Sequence, residues 1–173
     1  MNDLILFLSA VIAALLLRVF VLSLARVKGS SMLPTLQDGD WLFVWRLPYL
    51  FRRPRRFDVV ICHFPGRRVR RIPFLPQSFV KRIVGLPGET LEVIDGVLHV
   101  DGAPLEEPFL APERTRFFRN RPPVTLGPDA YYVLGDNRDA SNDSRRVGPL
   151  RRRAIRGRVL CRIWPPRRIG PLR

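Results

Sequence analysis

Apolar positions along this chain fall into two regimes. From Leu4 to Leu24 they run almost without a break, and at about 1.5 Å per residue such a stretch crosses roughly the 30 Å core of a bilayer as one helix. Arg18 interrupts the run near its C-terminal end, where a guanidinium can snorkel to the headgroups. A cleavable signal peptide fits less well. The run exceeds a normal apolar core, the N-terminus carries Asp3 in place of positive charge, and Leu22-Ser23-Leu24-Ala25 is no small-x-small cleavage site. The pattern predicts a single uncleaved membrane anchor over residues 1–25.

Beyond Ala25 no sustained 3.6-residue period appears; short β-branched and aromatic runs recur between Gly, Pro and Asp instead. Expected strands are Trp41 to Trp45, Asp58 to Phe64, Phe79 to Gly85, Leu91 to Ile94, Val97 to Val100, Tyr131 to Leu134 and Arg158 to Trp164. Asp95-Gly96 is a strong hairpin signal, and Asp101-Gly102 marks the next turn. The expectation is a mainly β domain over residues 26–173.

Charge adds possible neighbours. Thirty basic residues against 15 acidic ones give a net charge of +15, which suits phospholipid headgroups or nucleic acid. The clusters Arg52 to Arg56, Arg67 to Arg71, Arg119 to Pro123 and Arg151 to Arg153 read as solvated loops, some resting on anionic lipid at about 1 kcal/mol per side chain. No helix-turn-helix, zinc-finger or aromatic RNA-binding signature is present, so no specific nucleic-acid partner is expected, although a membrane-tethered basic nucleic-acid-binding protein is the alternative from a different class. Cys62 and Cys161 have no zinc spacing, and sequence leaves their pairing open. Arg26 and Lys28 after the apolar run place the domain in the cytoplasm by the positive-inside rule, a rule that weakens before a long translocated domain.

All of the basic residues except Lys28 and Lys81 are arginine. Arginine holds its proton under physiological conditions, whereas burial can neutralise a lysine. Alternation along Phe79-Val80-Lys81-Arg82-Ile83-Val84 puts Lys81 on the face of Phe79 and Ile83, where desolvation lowers its pKa and frees an amine to act as a base. A serine needs such a base. Lys28-Gly29-Ser30-Ser31-Met32-Leu33-Pro34-Thr35-Leu36 forms a loop able to present one, while His63 lies mid-strand and His99 in a hairpin, neither placed for the task. Ser78-Phe79-Val80-Lys81 also matches the Ser-x-x-Lys pattern of penicillin-binding proteins. That pattern requires a helix and a Lys-Thr-Gly strand, and the chain has no Lys-Thr-Gly.

Four ordered blocks resemble the type I signal peptidase family: Gly29-Ser30-Ser31-Met32-Leu33-Pro34-Thr35-Leu36, then Gly39-Asp40-Trp41-Leu42-Phe43-Val44, then Lys81-Arg82-Ile83-Val84-Gly85-Leu86-Pro87-Gly88-Glu89, and Gly135-Asp136-Asn137-Arg138-Asp139-Ala140-Ser141-Asn142-Asp143-Ser144-Arg145. Glu89 stands where an aspartate is commoner. The resemblance implies a Ser31 nucleophile with Lys81 as base, Ser141 orienting the lysine amine, Asp143 and Arg145 as a supporting ion pair, and Asp136 in the same network. With Gly29 where some members carry a serine, the oxyanion donors reduce to the Ser31 N–H and the Ser30 hydroxyl. It further implies an anchored, antiparallel, barrel-like catalytic domain on the extracytoplasmic side of the cell membrane, with an insertion reduced to about residues 97–125. Its substrates would be secreted preproteins cut after small residues of the Ala-x-Ala type, with no metal or cofactor. Met32, Leu36, Phe79 and Val80 are the expected substrate-binding residues. A related Ser/Lys autopeptidase of the SOS-repressor kind shares the dyad chemistry, and the anchor speaks against it.

Overall fold

A computed structural model of the 173-residue chain describes residues 2–16, 22–69, 72–110 and 120–172. The apolar N-terminal run divides. Helix α1 covers Asn2–Leu16, and Leu22–Arg26 is a strand, β1; Arg18 and its neighbours 17–21, together with residues 70–71 and 111–119 of the expected loops and insertion, lie outside the described residues. Leu22 to Ala25, expected in the anchor helix, instead pair with Trp45 to Leu42 of β2 (Trp41–Trp45). The backbone ladder and the aromatic partners across it decide the outcome, because a short apolar run has no period that separates helix from strand. Among the described residues no helix is long and apolar enough to cross a membrane.

The remaining elements are α2 (Pro48–Phe51), β3 (Val59–Val69), β4 (Ile72–Gly85), β5 (Thr90–Ile94), β6 (Val97–Val100), β7 (Ala103–Pro104), β8 (Arg121–Thr125), β9 (Ala130–Leu134), α3 (Ser144–Val147), β10 (Leu150–Arg151), β11 (Ile155–Trp164) and β12 (Gly170–Pro171), with short 3-10 turns on either side of β11. Their pairings are antiparallel throughout. The larger sheet runs β1-β2-β11-β3-β4-β9-β10 with β12 beside β11, and a smaller one runs β7-β6-β5-β8. All seven expected strands form, the longest of them extended: β3 and β4 continue past the expected ends into a hairpin arm that takes Arg67 and Arg68 into strand. Asp95 and Gly96 both adopt positive φ (48° and 78°), the type I′ geometry that matches strand twist.

The expected insertion begins earlier than residue 97, because β5 from Thr90 already belongs to the small sheet. Pro122 and Pro123 did not suggest a strand, yet β8 sits at the sheet edge, where a missing N–H is tolerated. The arginine cluster at 151–153 is no free loop: Arg152 is half-buried and donates to the carbonyls of Tyr49 (2.9 Å) and Arg52 (3.2 Å).

Cores form on both faces of the large sheet. Val60, Cys62, Phe64, Ile83, Tyr131, Val133 and Ile155 fill one, and Val27, Met32, Leu36, Leu42, Val44, Val59 and Val159 fill another. A third packs β9 against the small sheet through Leu91, Leu98, Leu126 and Tyr132. Cys62 and Cys161 are free thiols. Cys62 lies opposite Ile155, six residues along β11 from Cys161, a separation of roughly 20 Å.

Candidate active site

Lys81 occupies the middle of β4, opposite Val60 of β3, and shares its face with Phe79 and Ile83 as alternation requires. Only 2% of its surface is exposed. Its Nζ lies 2.7 Å from Ser31 Oγ and 2.9 Å from the Val80 carbonyl, to which it donates. Burial holds the Lys81 amine below its ordinary range; Cys62, Asp143 and Asp136 pull the other way without reversing it, and Arg145 adds to the lowering. Burial also pushes the neighbouring Cys62 thiol up to about 12, which keeps it protonated at neutral pH.

Ser31 starts a compact turn in the loop joining β1 to β2. The Leu36 N–H donates to the Met32 carbonyl (2.8 Å), and Gly29, with φ +87°, donates its N–H to Asp38 Oδ1 (2.7 Å). Met32 and Leu36 are 1% and 0% exposed and lie in the core beneath. They peg the loop, both side chains joining Val27 and Leu42 beneath it. Phe79 and Val80, the other two expected binding residues, line a cavity of about 210 Å³ together with Leu24, Ala25, Val44 and Ile61.

From the other side, the turn after β9 holds the same loop. The Asn137 N–H donates to the Ser31 carbonyl (3.1 Å), and its Nδ2 donates to the Ser30 carbonyl (3.1 Å). Arg82, pointing away from Lys81, donates to both oxygens of Asp136 (2.9 and 2.8 Å), and Asp136 accepts the Thr35 hydroxyl at 2.5 Å. Asp136 therefore joins the network through Arg82 and Thr35. Asp143 and Arg145 form the expected bidentate pair (2.8 Å twice), and Asp143 Oδ2 also accepts the Gly135 N–H (3.1 Å). Burial pushes the Asp143 carboxyl up, but the Arg145 guanidinium and the Gly135 N–H outweigh it and hold the group below the usual carboxylate range.

Ser141 differs from expectation. Its buried hydroxyl neighbours the Asp143 carboxylate without a hydrogen bond of ordinary geometry to any described group, so the Val80 carbonyl, and not Ser141, is the second partner of the lysine amine. The Gly135 backbone packs flush against both the Ser31 carbonyl and the Ser141 hydroxyl. Ser30 is exposed. His63 shares a hydrogen bond with Ser78 and His99 with the Val97 carbonyl, neither of them with Ser31. Gly135, Asn137, Thr35 and Arg82 escaped the sequence reading of roles, although all four lie inside the motif blocks.

A methyl group at Gly135 would overlap the Ser31 carbonyl and Ser141. Gly135→Ala is expected to lower kcat by about 10²-fold through displacement of Ser31 and to cost about 1–3 kcal/mol as an overpacked site. Peptide cleavage and thermal melting measure the two effects. Wild-type activity in this variant would show that the close packing has no bearing on the reaction.

The chain matches the family described as "Signal peptidase, peptidase S26" over residues 1–164. Signal peptidase I of Leptolyngbya laminosa is 38% identical over 168 residues, with 94% of this chain and 79% of that protein covered. Probable signal peptidase I-1 of Synechocystis sp. is 39% identical, with 94% and 82% covered. The crystal structure of a signal peptidase I from Enterococcus faecalis is similar at 32% identity and a TM-score of 0.46, covering 62% of this chain and 97% of that one. With the family matched along nearly the whole sequence, the chain belongs to the signal peptidases of family S26.

Proposed function

We propose that Ser31 is the nucleophile and Lys81 the general base of a membrane-bound serine endopeptidase that removes N-terminal signal peptides from secreted preproteins. The observation that carries the assignment is the 2.7 Å contact between Lys81 Nζ and Ser31 Oγ at a lysine 2% exposed. In its neutral form the amine accepts the seryl proton, Oγ attacks the scissile carbonyl, and the resulting ammonium returns its proton to the leaving amine. Water then hydrolyses the ester by the same proton relay. The Ser31 N–H faces the oxyanion, a role in which one donor is worth about 2.7–4 kcal/mol.

Ser141 supports the site from beside Asp143, packed against the Gly135 turn that abuts the Ser31 carbonyl. Asp143, Arg145 and Asp136 act by position, holding the Gly135 turn and the Thr35 end of the nucleophile loop. Phe79 and Val80 bound the cavity that selects small side chains, since larger ones collide with its walls.

Membrane attachment is supported by two apolar surfaces. Leu4 to Leu8 of α1 are 50–66% exposed, and on the outer side of β1, β2 and β11 the register groups Leu24, Trp41, Trp45 and Trp164, all 38–59% exposed. Tryptophans of this kind suit the bilayer interface. The apolar run that precedes β1 then serves as the anchor, while the β domain, β1 included, lies outside the cytoplasm. Anchoring enzyme and preprotein to one bilayer raises their effective concentration.

The test is cleavage of a preprotein bearing an Ala-x-Ala site by the detergent-solubilised protein, with N-terminal sequencing of the product. A preprotein that is left uncut, or cut elsewhere, refutes the substrate assignment. Protease treatment of spheroplasts is expected to digest the β domain; a domain shielded until lysis would reverse the orientation.

A further inference from the structure

The turn that holds the nucleophile loop is itself held from the connection between β7 and β8. Between β7 and β8 the chain reads Leu105-Glu106-Glu107-Pro108-Phe109-Leu110, and two of these side chains meet arginines beside the reaction centre. Glu107, buried at 6% exposure, accepts from both terminal nitrogens of Arg138, with Nη1 at 2.8 Å from Oε2 and Nη2 on Oε1. Phe109 lies with its ring centroid 3.7 Å from Arg82 Cζ and meets Phe57 edge-on at 5.1 Å.

Each arginine is one step from the reacting residues. Arg138 Nε donates to the Gly135 carbonyl (3.1 Å), and Gly135 packs against the Ser31 carbonyl. Arg82 grips Asp136, which in turn holds Thr35 of the nucleophile loop, while Asn137 holds the Ser31 carbonyl itself. The two contacts from Glu107 and Phe109 thus bracket the 135–137 turn from both ends. A guanidinium cannot shed its charge, so without Glu107 the buried Arg138 must turn toward another acceptor or water and release the Gly135 carbonyl. Phe109 adds cation–π attraction and covers the Arg82 guanidinium, keeping water from competing with Asp136 for its N–H groups.

We propose that Glu107 and Phe109 are positioning residues of the hydrolytic site, fixing through Arg138 and Arg82 the 135–137 turn and hence the placement of Ser31 against Lys81. The connection between β7 and β8 then belongs to the catalytic unit. This inference rests on the Ser31 and Lys81 assignment above.

The experiment measures kcat and KM of the full-length protein in detergent on an Ala-x-Ala peptide for Phe109→Leu, Phe109→Tyr, Glu107→Gln and the double variant Glu107→Leu/Arg138→Met, with melting curves for each. Phe109→Leu is expected to lower kcat about 5- to 10-fold with KM within about twofold, and Phe109→Tyr to restore it, because the tyrosine ring keeps the cation–π face. Glu107→Gln is expected to lower kcat about 10- to 100-fold, the scale of a small displacement of reacting groups. The double variant exchanges the buried ion pair for apolar side chains, a change that commonly preserves or raises stability; it is expected to melt no lower than Glu107→Gln yet remain slow, because the Gly135 carbonyl has lost its donor. Wild-type kcat in Phe109→Leu, or in a folded double variant, overturns the proposal and leaves a purely structural pair. Cleavage by Ser31→Ala, run alongside, would instead overturn the dyad on which the inference rests.

Discussion

Ser31→Ala and Lys81→Met are each expected to reduce preprotein cleavage by about 10⁴-fold or more, the loss typical of a nucleophile or base that acts as a unit with its partner. Lys81→Arg should be as inactive, since a guanidinium keeps its proton and cannot accept one from Ser31. Steric fit does not rescue it. The amine sits at 2% exposure with Ser31 Oγ and the Val80 carbonyl as its two partners, a space set by one nitrogen and not by a planar fork. Ser30→Ala is expected to stay within about tenfold of wild type, because the exposed Ser30 engages its surroundings through its backbone carbonyl; a loss nearer 10²-fold would identify its hydroxyl as an oxyanion donor. Progress curves of a preprotein substrate, on variants matched for near-UV circular dichroism, give all four values. Residual cutting by Ser31→Ala at even a tenth of the wild-type rate would remove Ser31 from the mechanism.

The sequence singled out Ser31 and Lys81, which the structure places 2.7 Å apart, from local signals. Alternation through Phe79, Lys81 and Ile83 put the lysine on an apolar face, and the structure finds it there against Val60 and Cys62. The scarcity of lysine in an arginine-rich chain marked the same position. Roles that depend on long-range contact carried no such signal. Met32 and Leu36 flank Ser31 as apolar residues, and nothing local shows that their side chains reach the core beneath the loop. Ser141 lies inside the expected block, but where its hydroxyl points depends on how Gly135 packs between neighbouring segments. Arg82 was visible as the residue after the lysine, yet its partner Asp136 comes from a turn reached only after the small sheet has been traversed. The strand at Leu22–Arg26 was hidden in a continuous apolar run for the same reason: its identity comes from Trp41–Trp45 alongside it.

The second large effect is on pH. Burial lowers the Lys81 pKa, and the amine must be neutral to take the seryl proton. Activity is therefore expected to fall as pH drops through that lowered pKa, by about tenfold in kcat/KM per pH unit on the acid side. Stability moves the same way. Between the folded-state pKa and the ordinary lysine value of about 10.4, the unfolded chain binds a proton that the folded one does not, so unfolding free energy rises with pH across that window. Below the folded-state pKa the penalty is at its full, constant size. Lys81→Met removes the titrating group while filling nearly the same volume; it is expected to be inactive and yet more stable than wild type at neutral pH, with the difference shrinking as pH approaches 10. Urea denaturation of both proteins at several pH values, paired with a pH–rate profile of the wild type, checks the two consequences of one buried amine. A Lys81→Met protein that gains nothing at neutral pH would mean that the lysine is charged in the resting enzyme and that Ser31 is activated in some other way.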